Sequence, residues 1–307
     1  MGVRDKIAKA IMGIKAYHSS PHDFDKFDLK KIGTGEGAQA YGHGLYFAES
    51  PAVSGQGGQY WKQFKNKFSG PEAEAISAFQ QQAFDREKAL AQLDRQLRGY
   101  IPGSQLHNEL SEAKRLLESG PVGPRTYEVN IKADPAQMLD WDKPLRGQPQ
   151  RSVFPDVAKE FSAKNPSAAD MYHFLKNEGD QASSVSGVDF YRSLVDPRSR
   201  DAAHASAALS EAGIPGIKYL DEGSRAIQPA ITDIERAIKQ GGMYKGAGPD
   251  MWASRLDELK ATPLTSNYVV FDPGVIDIMK KYGVVGAPAG ALGMGALADQ
   301  SQYEVQP

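Results

Sequence analysis

The stretch from Tyr17 to Tyr60 constrains this chain more than any other. It runs YHSSPHDFDKFD, then IGTGEGAQAYGHGLYFAES, and closes on QYW. Tyr17-His18 followed by Ser19-Ser20-Pro21 reads as a strand end and a turn. Gly33 to Gly44 holds five glycines, so it forms a loop with unusual backbone angles or a close approach to a ligand. Leu45 to Ala48 is a short apolar run. Glu49-Ser50-Pro51 reads as a helix start with proline near the first turn.

The rest of the chain places this block in an α+β domain with helical insertions. Leu90, Leu93 and Leu97 share one helical face, as do Leu106, Leu110, Ala113 and Leu117, which predicts a helical hairpin over about 60–120. Thr126 to Ile131 alternates as a strand. Helical insertions are expected over about 153–212 and 227–260, with a short strand at Ile217 to Leu220 between them. Asn267 to Phe271 is the clearest strand, and Val275 to Tyr282 reads as a short helix capped by Gly283. Residues 1–15 carry basic residues and an apolar stripe and read as a docking helix, with an apolar run too short for a signal-peptide core. Residues 284–307 read as a flexible, glycine-rich apolar tail. Its uncharged run is short and poor in bulky side chains, which argues against membrane contact.

Composition removes several chemistries. The chain has no cysteine, which excludes disulfides, thiolate metal sites and cysteine nucleophiles. Its six histidines show no metal-ligand spacing, so no metal is expected. A formal charge of −2 over 307 residues gives no electrostatic reason for nucleic-acid binding.

Taken alone, His18 is an ordinary strand-end histidine and Tyr46 an ordinary core aromatic. Their arrangement around a glycine loop suits a different task. Cleaving a nicotinamide glycosidic bond needs a ring to stack on nicotinamide, polar groups for its amide, and a partner for the ribose hydroxyls. His18-Ser19, then Gly42-His43-Gly44-Leu45-Tyr46-Phe47-Ala48, then Ser266-Asn267-Tyr268-Val269-Val270-Phe271-Asp272 follow such an order. In these motifs the chain resembles the diphtheria-toxin-like ADP-ribosyltransferases, the class that includes the poly(ADP-ribose) polymerases. It is most similar to the ADP-ribosyltransferase domain of phage and mobile-element polyvalent proteins. Tyr127-Glu128-Val129, Leu139 to Pro144 and Ala212 to Asp221 carry the likeness further, so that it covers residues 16–283.

The resemblance implies a fold of two small packed antiparallel sheets around an NAD cleft. It implies a mono-ADP-ribosyltransferase with NAD as substrate, acting in the cytoplasm of a bacterial host on a macromolecule, with protein favoured over nucleic acid. His18 would bond the ribose 2′-hydroxyl and Ser19 would present its backbone to the carboxamide. Gly44, Phe47 and Ala48 would belong to the pocket, and Tyr46 would stack on nicotinamide. Ser54 would bond the carboxamide and Tyr60 would be a second stacking ring. Asn267 stands where the polymerases place glutamate. An amide supplies neither negative charge nor a general base, which argues against polymer formation. Glu36, Asp221 and Glu222 are candidate loop carboxylates, and Arg198, Arg200 and Arg225 candidate pyrophosphate contacts. An NAD glycohydrolase and a non-catalytic NAD-binding module are the competing expectations.

Overall fold

The structure, a computed structural model, describes residues 13–32, 39–177, 185–195, 201–240 and 249–282. The expectations for residues 1–12 and for the tail beyond Tyr282 lie outside them. The chain divides into two compact units. Among the described residues, one comprises those up to Phe64 together with Pro124–Tyr282, and the other is Lys65–Gly123.

The first unit is α+β. Its strands are β1 (Ile14–Ser20), β2 (Leu45–Ala48), β3 (Arg125–Ile131), β4 (Leu139–Asp140), β5 (Gly216–Leu220), β6 (Ser266–Val270) and β7 (Ile276–Tyr282). Among the described residues they form one seven-stranded sheet in the order β4-β5-β6-β2-β1-β3-β7. Only β4 and β5 run parallel. The expected two small sheets are therefore corrected to one. Its continuity is narrow, because β1 and β2 share a single register pair, Tyr17↔Ala48. On its other side β1 pairs with β3 along its whole length, from Ile14↔Ile131 to Ser20↔Arg125.

Strand alternation sorts the side chains onto two faces. Ile14, Ala16, Phe47, Tyr127, Val129, Tyr268 and Val270 meet in one buried cluster with Phe27. These residues come from five strands' worth of one face only when the β7 residues Ile276 and Ile278, packed against the same cluster, are included. The sheet must curl around them. The opposite face presents Ile217, Tyr219 and Val269 to a helical layer.

The helices follow from local signals. In chain order they are α1 (Pro51–Ser54), α2 (Gln59–Lys65), α3 (Gly70–Gln81), α4 (Arg86–Leu97), α5 (Gln105–Ser119), α6 (Phe154–Ser162), α7 (Pro166–Asn177), α8 (Gly187–Leu194), α9 (Ala202–Glu211), α10 (Glu222–Lys239) and α11 (Pro249–Ala261). Ser50 caps α1, with Pro51 in its first turn, as Glu49-Ser50-Pro51 predicts. Phe154, Phe161, Phe190 and Leu209 from α6, α8 and α9 fill the core over β5 and β6. Asp221 caps α10, accepting the Ser224 N–H at 2.7 Å.

Two further expectations are corrected. Val275 to Tyr282 is not a helix: after a 3₁₀ turn, β7 pairs with β3 from Ile131↔Ile276 to Thr126↔Tyr282. Ile276 and Ile278 alternate with Asp277 and Met279, a period of two that a run this short shares with a helix face. Of the span 1–15 expected as a helix, Ile14 and Lys15 belong to β1 instead, and residues 1–12 lie outside the described residues.

The second unit holds α3, α4 and α5, three helices where a two-helix hairpin is expected. The extra break falls at Ala83 and Phe84, both with positive φ (51° and 64°), and Asp85 then caps α4. No glycine or proline marks that break in the sequence. Ile76, Phe79, Leu93, Leu110 and Leu117 are buried among these helices.

Gly44 is fixed by packing. A Cβ there would lie 2.6 Å from Val269 Cγ1 and 2.8 Å from the Val270 carbonyl oxygen. Gly44→Ala should therefore push β2 off β6 and lower the unfolding free energy by about 1–3 kcal/mol, the scale of overpacking a tight core. Denaturant unfolding checks this, and an unchanged midpoint would contradict it.

Candidate active site

The site grows from the junction between β1 and β2. Three register pairs run in line across four strands: Tyr17↔Ala48, Ala48↔Asn267 and Asn267↔Tyr219. His18 follows Tyr17 on β1. Its Nδ1 lies 2.9 Å from the Tyr46 carbonyl oxygen on β2. A carbonyl can only accept, so Nδ1 carries the proton and the neutral ring keeps its lone pair on Nε2. Phe27 meets the imidazole edge-on at 5.2 Å, and Phe47 lies 5.7 Å away. Burial among these rings lowers the imidazole pKa from its ordinary 6.5, and the bond to Tyr46 opposes part of that shift.

Ser19 and Ser54 meet face to face. The Ser19 N–H donates to Ser54 Oγ at 3.0 Å, and Ser19 Oγ donates to the Ser54 carbonyl at 2.9 Å. Both residues are buried. The backbone and hydroxyl groups assigned to the carboxamide thus adjoin.

Tyr46 ties its strand to the glycine loop. Its hydroxyl donates to the Gly42 carbonyl at 2.7 Å and accepts the Tyr41 N–H at 3.2 Å. Gly42 sits at φ +110°, and a Cβ there would strike Ile217 and Tyr191, so this turn needs glycine. Burial raises the Tyr46 phenol, with neighbouring Tyr191, Tyr60 and Tyr41 adding to the shift. Tyr60, on α2, is 42% exposed. Its phenol is raised by burial first, then by Tyr41 and by the charge of Glu222.

Asn267 stands opposite Tyr219 on the β5–β6 ladder. Its Oδ1 is buried and has no hydrogen-bond partner among the described residues. A buried acceptor left this way carries a free-energy cost that a donor hydroxyl would remove.

Some assigned residues serve the scaffold. Gly44 packs on β6, as its Cβ contacts show, and Phe47 is core behind the His18 ring. Ala48 is buried beside Asn267 in the register. Asp221 is spent on Ser224 and Thr265 in the α10 cap. Arg225 is held by Asp142 at 2.9 Å and donates to the Tyr41 hydroxyl at 2.6 Å. Glu222 is exposed in the first turn of α10. Glu36, Arg198 and Arg200 lie outside the described residues.

The sequence reading missed Tyr41 and Tyr219, whose rings stack at 3.8 Å and 7°. Tyr41 sits inside the glycine-rich segment, which was the available signal. Among the described residues, no group of three His, Cys, Asp or Glu side chains could hold a metal ion. No helix there is long and apolar enough to cross a membrane. Compared with family models, curated proteins and solved structures, the chain matches none.

The depressed His18 pKa has a directional consequence. The unfolded chain binds a proton more readily than the native ring, so stability rises with pH. The contribution is complete above the ordinary value of 6.5 and is lost as pH falls through the lower native value. An NMR titration of the His18 ring should give a midpoint below 6.5, and one at or above it would contradict the burial argument.

Proposed function

We propose that this chain is an NAD-dependent mono-ADP-ribosyltransferase built on the ADP-ribosyltransferase fold. The single sheet with a one-pair junction is compatible with that fold, in which two sheets part at a cleft. The observation that carries the reading is the alignment at this junction. Tyr17, Ala48 and Asn267 share one register row, and Asn267 Oδ1 has no partner among the described residues. Next to Tyr17 on β1 come His18, bonded at Nδ1 to the Tyr46 carbonyl, and Ser19, which faces Ser54.

Nicotinamide would lie against Tyr46 and Tyr60, with its carboxamide between Ser19 and Ser54. It would take over the hydrogen bonds these serines make to each other. His18 Nε2 and Asn267 Oδ1 are acceptors, matched to ribose hydroxyls as donors. The C1′–N bond then breaks, and its electron pair goes to the pyridinium nitrogen, cancelling the positive charge. The acceptor nucleophile forms the new bond to C1′ and gives up its proton. Asn267 holds the ribose without supplying charge, which suits one transfer better than chain growth. The near-neutral chain favours a protein acceptor over nucleic acid, and the resemblance suggests a phage-encoded protein acting in a bacterial host.

Nicotinamide release from labelled NAD, with the label followed into protein and nucleic-acid fractions of a bacterial lysate, tests this. Label in protein is expected. Release without macromolecular label would make the protein a glycohydrolase, and no release would leave a binding module. His18→Ala and Tyr46→Ala should each cut turnover about 100-fold by misplacing the substrate, with the fold intact. Asn267→Ala should cost about tenfold, as for one lost hydrogen bond. Wild-type rates in the His18 or Tyr46 variant would sink the assignment.

A further inference from the structure

The peptide unit between Gly42 and His43 is held by two phenols. Its carbonyl, that of Gly42, accepts the Tyr46 hydroxyl at 2.7 Å. Its N–H, that of His43, donates to the Tyr191 hydroxyl at 3.1 Å. In a trans peptide these two groups point opposite ways, so the bonds grip one rigid plane from opposite sides. Gly42 has no side chain to fix that plane, and its φ of +110° lies where other residues rarely go. The partners of the plane therefore set its orientation.

Tyr191 is prepared for this by residues far from the turn in sequence. It lies on α8 and is buried. Its hydroxyl donates to the Ala202 carbonyl at 3.1 Å and lies 2.9 Å from Ser206 Oγ, both on α9. A phenol has one proton and two lone pairs. The proton to Ala202, with the His43 N–H and the Ser206 hydroxyl on the lone pairs, completes its hydrogen bonding. The ring also presses on the turn, since a Cβ on Gly42 would stand 3.0 Å from Tyr191 Cζ. On the far side of the plane, the Tyr46 hydroxyl also accepts the Tyr41 N–H at 3.2 Å. The resting place of the Tyr46 phenol thus follows the Gly42–His43 plane.

We infer that Tyr191 is a positioning residue that acts through the Gly42–His43 peptide to fix the Tyr46 ring against nicotinamide. The role of the Tyr46 ring rests on the NAD reading above, while the clamp on the peptide does not. The inference gives α8 and α9 a task at the site.

Tyr191→Phe is the test, because it keeps the buried ring and removes only the hydroxyl. Amide hydrogen exchange reads the clamp without NAD. The Tyr41 N–H, which bonds Tyr46 and not Tyr191, should exchange about fivefold faster, the effect of weakening one neutral hydrogen bond. The β6 amides should keep their protection. Unchanged Tyr41 exchange, or equal acceleration throughout β6, would overturn the inference. If Tyr191→Phe does not fold, Ser206→Ala removes one partner of the same hydroxyl. A smaller acceleration at Tyr41 is then expected, and none would overturn the inference. In nicotinamide release, kcat/KM for NAD should fall about fivefold in Tyr191→Phe, most of it in KM, because the stacking ring is present but held less firmly. In a Tyr46→Phe background, Tyr191→Phe should cost nothing further, since the hydroxyl it acts through is gone. Wild-type kcat/KM in Tyr191→Phe, or a multiplicative loss in the double variant, would overturn the inference and leave the NAD reading intact. Absence of nicotinamide release by the wild type would overturn the NAD reading and the nicotinamide half of the inference, and Tyr41 exchange would still decide the clamp.

Discussion

The hydrogen bond from His18 Nδ1 to the Tyr46 carbonyl is the point on which the rest of the site depends. It spans β1 and β2 where only one residue pair links them. At most strand junctions the main chain supplies several such bonds. Here a side chain supplies one of the few ties, and the tie also sets the proton on one ring nitrogen. Structure and chemistry share a single contact. The aromatic rings of Phe24, Phe27, Phe47 and Tyr127 around the imidazole keep it neutral by keeping water away.

Close packing fixes the turn from Tyr41 to Gly44. Gly42 and Gly44 let the chain press against Ile217, Tyr191 and β6, and the Tyr46 hydroxyl closes the turn by bonding both Tyr41 and Gly42. Tyr41 is thereby delivered to Tyr219, the register partner of Asn267. His18, Ser19 and Asn267 sit on strands, which holds their geometry better than loop placement would.

Local chemistry made much of this legible. The Ser50-Pro51 cap, the alternation of Thr126 to Ile131 and the strand around Val269 all announce themselves within a few residues. His18 and Tyr46 are singled out by residue type and by their order around the glycines, and Ser54 by the resemblance alone. What stayed hidden depended on partners distant in sequence. Nothing local shows that Gly44 is held by packing, because the atoms it lies against belong to Val269 and Val270. Val275 to Tyr282 looked helical because pairing with β3, not propensity, selects the strand. The break at Ala83 and Phe84 used a left-handed backbone without glycine. Arg225 is held by Asp142, 83 positions away in the chain, a partner that no local signal gives.

A crystal structure of the protein with NAD tests the central claim most directly. The account predicts the carboxamide between Ser19 and Ser54, with the Ser19 N–H no longer bonded to Ser54 Oγ. It also predicts a ribose hydroxyl on His18 Nε2 and another on Asn267 Oδ1. NAD bound elsewhere, with the Ser19–Ser54 bonds unbroken and Asn267 Oδ1 still without a donor, would contradict it.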